Sequence, residues 1–128
     1  RVPDGEAIEF EDALAGPQRF VAGVDFGDFL IWRRDGFPSY ELACMADDHA
    51  MGITEVVRGA DLLLSTARQL LLYRALGATP PGWCHAPLVR DGAGRRLAKR
   101  AADEGLAALR ERGVNPATLC AEFAAELS

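Results

Sequence analysis

Tyr40, Arg58 and the cluster Arg95, Arg96, Lys99 and Arg100 are the residues whose types suit chemistry on anions. A phenol donates to a carboxylate oxygen, and a guanidinium makes a forked pair with one. Ammonium and guanidinium groups on a glycine-started loop can follow charge as it develops during phosphoryl or adenylyl transfer. Each also has a plainer reading. Arg58 can pair with Asp61 or Glu55, Tyr40 can pack with its hydroxyl at a surface, and the basic cluster can be one solvated helix face. Asp47 and Asp48 can bind a cation or an amino group, but neighbours in a strand face opposite ways, so at most one of them serves a given site. His49 and His85 have no partner at ligand spacing and read as structural. No nucleophile with its base, no P-loop and no dinucleotide glycine fingerprint is present.

The elements that must position these groups are marked most clearly in DDHAMGITEVVRGADLLLSTARQLLLYRAL, residues 47–76. Ile53 to Val57 is short, β-branched and bounded by Gly52 and Gly59, which predicts a buried strand with Arg58 at its carboxyl end. In open α/β sheets ligands bind at that end. Thr66 with Gln69 three residues on fits a capping box, and a helix is expected from Ala67 to Leu76, stopped by Gly77, Pro80 and Pro81. Upstream, Ala7 to Phe10 alternates as a strand, Gly16-Pro17 marks a turn, Phe29 to Arg33 reads as another strand, and Asp35-Gly36 turns the chain back. Tyr40 to Ala46 has few polar positions and reads as a buried return limb. Trp83 to Val89 contains a proline, which predicts an edge strand or an extended loop rather than a central strand. Gly92 and Gly94 link into RRLAKR, and the tail from Ala101 splits into two short helices at Gly113 and Asn115-Pro116.

The chain has 128 residues, about half of them hydrophobic, and a net charge of −5. That suffices for one compact domain with a core, or for part of a larger one. The absence of an apolar run long enough to span a bilayer, and of a signal pattern, makes cytoplasm the default expectation and a membrane partner unexpected. Three cysteines, Cys44, Cys84 and Cys120, are an odd number without metal-like pairing, so no disulfide framework or zinc knuckle is expected. The acidic total argues against unselective nucleic-acid binding while leaving room for a small basic face.

Taken together, YELACMADD (40–48), GITEVVRGADLLLSTARQLLLYRALG (52–77), HAPLV (85–89) and GRRLAKR (94–100) resemble the second half of the catalytic domain of class I glutamyl-tRNA synthetases. Within that family the chain is most similar to the truncated branch that acts on the queuosine base of tRNA(Asp). The opening RVPDGEAIEFEDALAGPQ resembles the segment that follows that branch's zinc-binding insertion. Two short helices are expected after the basic loop, where a conventional glutamyl-tRNA synthetase would continue into a large helical anticodon-binding region.

The resemblance implies an α/β fold, the second half of a Rossmann-like class I catalytic domain. Residues 1–100 would be the partial catalytic domain, with a KMSKS-like loop at 96–100, and residues 101–128 a C-terminal helical segment. It implies that Tyr40 and Arg58 bind L-glutamate, that Lys99 and Arg96 bind ATP, and that the backbone around Val89 lies against adenine. Lys99 would be the catalytic cation, stabilising pyrophosphate as glutamate attacks the α-phosphate of Mg2+-bound ATP. The departures are Ala98, where the family has a serine, and Arg96, where it has a lysine, so retuned ATP handling is expected. The HIGH-like motif, another glutamate-binding arginine and any zinc ligands would belong upstream. The sequence therefore reads as a fragment that exposes apolar sheet edges when alone. Conventional charging of tRNA(Glu), or a catalytically silent binding remnant, are the alternatives.

Overall fold

In the computed structural model the described residues are 1–90 and 105–126. They form two compact units, Arg1–Ala86 and Pro87–Ser128. The first holds strands β1 (Ala7–Asp12) and β2 (Gly16–Val21), helix α1 (Tyr40–Ala50), strand β3 (Glu55–Gly59), a 3-10 turn (Ala60–Leu62), helix α2 (Leu63–Leu76) and strand β4 (Gly82–Ala86). The second holds the short helices α3 (Leu106–Glu111) and α4 (Pro116–Glu126), separated as expected around Gly113 and Asn115-Pro116. No helix among the described residues is long and apolar enough to cross a membrane.

The four strands run in the order β2-β1-β4-β3. β1 and β2 are an antiparallel hairpin, while β4 pairs in parallel with both β1 and β3. The hairpin turn is made by Asp12, whose Oδ1 accepts the amide protons of Leu14 (3.1 Å) and Ala15 (2.8 Å). Gly16 and Pro17 are therefore not the turn but the start of β2. Pro17 is tolerated there because β2 is an edge strand. Ile8, Ala22, Phe26, Met45, Ala67, Leu70, Tyr73 and Trp83 form the core of this unit.

β4 corrects the expectation of an edge strand or loop. It is central, because Pro87 falls one residue beyond its end and costs no ladder hydrogen bond. β3 is corrected too: expected as a buried strand from Ile53 to Val57, it runs Glu55–Gly59 at the edge of the sheet with Val57 67% exposed, in line with the expected uncovered apolar edge. The β3–β4 register sets Val56 beside Trp83 and Arg58 beside His85. Side chains opposite one another in a ladder share a face, so this one-residue alignment decides what Arg58 meets.

Tyr40 to Ala46 is also corrected, since it is the first part of a helix rather than a strand limb. A scarcity of polar residues does not distinguish the two. The composition does: YELACMADDHA contains no β-branched residue and is rich in Ala, Leu, Met and Glu. Phe29 to Arg33 does not form a strand either. A single bridge joins Trp32 to Pro38, and Arg33 N donates to Phe37 O (2.8 Å) around the expected turn at Asp35-Gly36, where Gly36 has φ +83°.

α2 begins at Leu63, four residues before the expected Ala67, and carries no side-chain cap. Thr66 and Gln69 are thus inside the helix and buried, not a capping box. The helix end is as expected. Gly77 sits at φ +65°, and the amides of Gly77 and Ala78 bond back to Arg74 and Tyr73.

Candidate functional site

Arg58 leaves the penultimate position of β3 half-buried, over the Trp83 ring with its guanidinium carbon 5.1 Å from the ring centre. Its Nε donates to His85 Nε2 (3.1 Å), and its Nη2 donates to Thr66 Oγ1 (2.7 Å) and Gln69 Oε1 (2.8 Å). All three acceptors are uncharged, and no ion pair among the described residues involves Arg58. Its remaining terminal nitrogen, Nη1, enters none of these hydrogen bonds. The guanidinium is therefore fixed along one edge while its charge stays uncompensated.

His85 is itself held from behind. Its Nδ1 lies 2.5 Å from Asp12 Oδ2, and its backbone amide donates to Asp12 Oδ1 (3.0 Å). Since Nε2 faces the Arg58 N–H it must accept, so the ring proton sits on Nδ1 and points at the carboxylate. Thr66 Oγ1 also lies 3.1 Å from Nε2 and reaches back to Leu62 O (3.3 Å). Asp12 is 1% exposed. Burial pushes its pKa up, but the hydrogen bonds from Ala15 N, the His85 ring, His85 N and Leu14 N outweigh burial and bring it down to about 2. It is a carboxylate throughout the neutral range.

Tyr40 stands on α1 with Cys44 and Asp48 at successive turns, a spacing that lines one helix face. Burial, then the interaction with the Cys44 thiol, raises the Tyr40 phenol above its usual range, while the charge of Arg58 pulls the other way. The Cys44 thiol is raised by burial and feels both Asp48 and Arg58. Tyr73, from α2, is raised by burial and by Asp48, again against Arg58. Both phenols thus remain O–H donors at neutral pH, and the α1 face shares one electrostatic neighbourhood with Arg58. Two buried groups beside it, Gln69 Nε2 and the Tyr73 hydroxyl, have no hydrogen-bond partner among the described residues. Unpaired buried donors are costly, and an anion or ordered water would satisfy them.

A second polar cluster joins the same two helices. Glu41 Oε1 accepts from Ser65 Oγ (3.1 Å) and lies 3.6 Å from Arg68 Nη1. The Arg68 guanidinium in turn lies over Phe26 and Phe29. Here the charge is matched, and the cluster serves to tie α1 to α2.

The structure therefore brings Arg58 and Tyr40 into one region of the first unit. Val89 is half-buried in the second unit. Lys99 and Arg96, with the rest of the KMSKS-like loop, lie outside the described residues. Asp47 and Asp48 are helical neighbours rather than strand neighbours, and only Asp48 is on the Tyr40 face. Arg58 pairs with neither Asp61 nor Glu55 through any ion pair among the described residues. His85, expected to be structural and without a partner at ligand spacing, is buried and bonded to both Arg58 and Asp12. Asp12, Thr66 and Gln69 were missed as parts of the site. The parallel register and the interior position of Thr66 in α2 would have been needed to find them. Among the described residues no cluster of His, Cys, Asp and Glu is placed to hold a metal.

The family described as "tRNA synthetases class I (E and Q), catalytic domain" matches residues 1–125. This chain belongs to that family. Among curated relatives, the glutamyl-Q tRNA(Asp) synthetase of Symbiobacterium thermophilum is 50% identical over 123 residues, which cover 96% of this chain and 38% of the relative. Glutamate--tRNA ligase 2 of Nitrosococcus oceani is 46% identical over 94% of this chain and 25% of its own length. In structure, a glutamate tRNA ligase from Elizabethkingia meningosepticum, solved in complex with its amino acid, superposes with a TM-score of 0.71 at 35% identity. That match covers 80% of this chain and 20% of the ligase. The α/β fold is thus that of a class I synthetase catalytic domain, and the chain spans well under half the length of these relatives.

Proposed function

We propose that this chain is the glutamate-selecting half of a class I synthetase site that activates L-glutamate with ATP and transfers it to queuosine in tRNA(Asp). The observation that carries the reading is Arg58: a cation held by neutral acceptors, near enough for its charge to act on the Tyr40 phenol, in a chain 50% identical over 123 residues to a glutamyl-Q tRNA(Asp) synthetase. In this reading Nη1 of Arg58 and the Tyr40 hydroxyl receive carboxylate oxygens of glutamate, and Asp48 faces its ammonium group. Lys99, aided by Arg96, stabilises the pyrophosphate released when a glutamate carboxylate attacks the α-phosphate of Mg2+-bound ATP. The backbone near Val89 borders adenine. The resulting glutamyl-adenylate is a mixed anhydride, from which a nucleophile on the queuosine base displaces AMP. We place this reaction in the cytoplasm.

The test is incubation of the full-length protein with ATP, radiolabelled L-glutamate and queuosine-containing tRNA(Asp). Label on the modified base is expected. Glutamate-dependent pyrophosphate exchange without that transfer, together with charging of tRNA(Glu), would instead support the ordinary ligase reading that the 46% identity to a glutamate--tRNA ligase favours. No exchange at all would leave a binding remnant.

A further inference from the structure

Arg58 is anchored by a chain of contacts that begins in the β1–β2 hairpin, at a residue no ligand needs to touch. Asp12 accepts from the turn amides of Leu14 and Ala15 with Oδ1, and the same oxygen accepts the backbone amide of His85. Its other oxygen takes the His85 ring proton at 2.5 Å. Each of these bonds points the imidazole so that Nε2 presents its lone pair to Arg58 Nε at 3.1 Å. Asp12 and His85 are each 1% exposed. A buried imidazole with a carboxylate on one nitrogen has its tautomer and ring angle set, which is the logic by which carboxylates orient histidines elsewhere.

We infer that Asp12 and His85 are positioning residues, which set the tilt of the Arg58 guanidinium and thereby the affinity of the site for the carboxylate of its amino acid. The inference rests on the reading of Arg58 as a glutamate-binding residue. Three features support it. The Asp12–His85–Arg58 chain crosses three strands, β1, β4 and β3, so it couples the guanidinium to hydrogen-bonded neighbouring strands rather than to a loop. Thr66 and Gln69 hold only Nη2, and two bonds to one nitrogen leave the plane free to rotate about that point unless Nε is also held. Finally, His85 Nε2 is an acceptor facing a cation. It adds no negative charge, so orientation is gained without neutralising Arg58.

Two substitutions at one position separate this role from simple core packing. His85→Asn keeps an amide near Nδ1, and so the bond to Asp12, but removes the acceptor for Arg58. His85→Gln places its amide near Nε2, and so keeps an acceptor for Arg58 while losing Asp12. The full-length protein and both variants are titrated with L-glutamate by calorimetry, with thermal unfolding recorded alongside. Positioning predicts that His85→Asn weakens glutamate binding about 10-fold, the size expected from one lost charge-assisted hydrogen bond, whereas His85→Gln weakens it less even if it unfolds at a lower temperature. A purely structural His85 predicts that affinity follows stability, with His85→Asn the better binder, and that order would overturn the inference. Asp12→Asn, which keeps the size of the side chain, is expected to weaken glutamate several-fold and to leave the KM for ATP unchanged; unaltered glutamate affinity there would also count against it. Arg58→Ala is the control on the underlying reading. If it binds glutamate as wild type does, the assignment of Arg58 itself has failed, and the positioning inference with it.

Discussion

Two arginines on neighbouring elements show how differently one side chain can be used. Arg68, on α2, is paired with Glu41 and lies over Phe26 and Phe29. Arg58, on β3, also lies over a ring, that of Trp83, yet its hydrogen-bond acceptors, His85, Thr66 and Gln69, are all neutral. A guanidinium matched by a carboxylate has no call on a second anion, whereas one held only by dipoles keeps its full charge for a ligand. Arg68 therefore joins helices, and Arg58 is the one we propose for binding an anion. Hydrogen bonds fix the geometry of Arg58, an ion pair and two ring contacts hold Arg68, and the charge of the partners separates their roles.

The difference can be broken most severely at Arg58. In the full-length protein Arg58→Ala is expected to raise the KM for L-glutamate about 100-fold, equivalent to about 3 kcal/mol, with little change in the KM for ATP. Arg58→Lys keeps the charge but not the fork and should recover only part of that loss. Steady-state pyrophosphate exchange reads both.

The support behind Arg58 should fail in acid. Asp12 has its folded-state pKa lowered from 3.8 to about 2, so its contribution to stability is complete above pH 3.8 and is lost as pH falls toward 2. The contribution is on the order of 2 kcal/mol. Denaturant unfolding between pH 5 and pH 2 should show a decline that is shallower in Asp12→Asn. On the Arg68 side, Glu41→Gln should lower stability by about 1–2 kcal/mol, because it leaves a partly buried guanidinium without its counter-charge. Glutamate KM should stay as in wild type, and an equal effect on both quantities would erase the contrast between the two arginines. The smallest expected change is Tyr40→Phe. Losing one donor from a side chain that is 53% exposed should weaken glutamate by about 1 kcal/mol, or about 5-fold, without altering stability.

The sequence made some of this legible and concealed the rest for identifiable reasons. β1, the end of α2 at Gly77 and the division of the tail at Gly113 and Asn115-Pro116 follow from local signals, namely alternation, a left-handed glycine and a proline. Apolar content alone suits a strand as well as a helix at α1, and only the lack of β-branched residues separates the two. Pro87 argues for an edge strand or a loop only if it lies inside the segment, and β4 ends one residue before it. Thr66 and Gln69 match a capping box by spacing, but a 3-10 turn lets α2 start earlier, which turns both side chains inward onto Arg58. At the candidate site, Arg58 and Tyr40 stand out by residue type and by their place in the family pattern. His85 and Asp12 could not, since His85 lies 27 residues from Arg58 and 73 from Asp12. Only the strand order β1-β4-β3 makes them neighbours, and no local pattern encodes that order.

Whether the uncompensated edge of Arg58 receives a carboxylate of glutamate is read from a crystal structure of the full-length protein with L-glutamate. A carboxylate oxygen is expected about 3 Å from Arg58 Nη1, with the bonds to His85, Thr66 and Gln69 intact and Tyr40 bordering the ligand. Glutamate bound away from Arg58, or an Arg58 that abandons those three acceptors to reach it, would contradict the account.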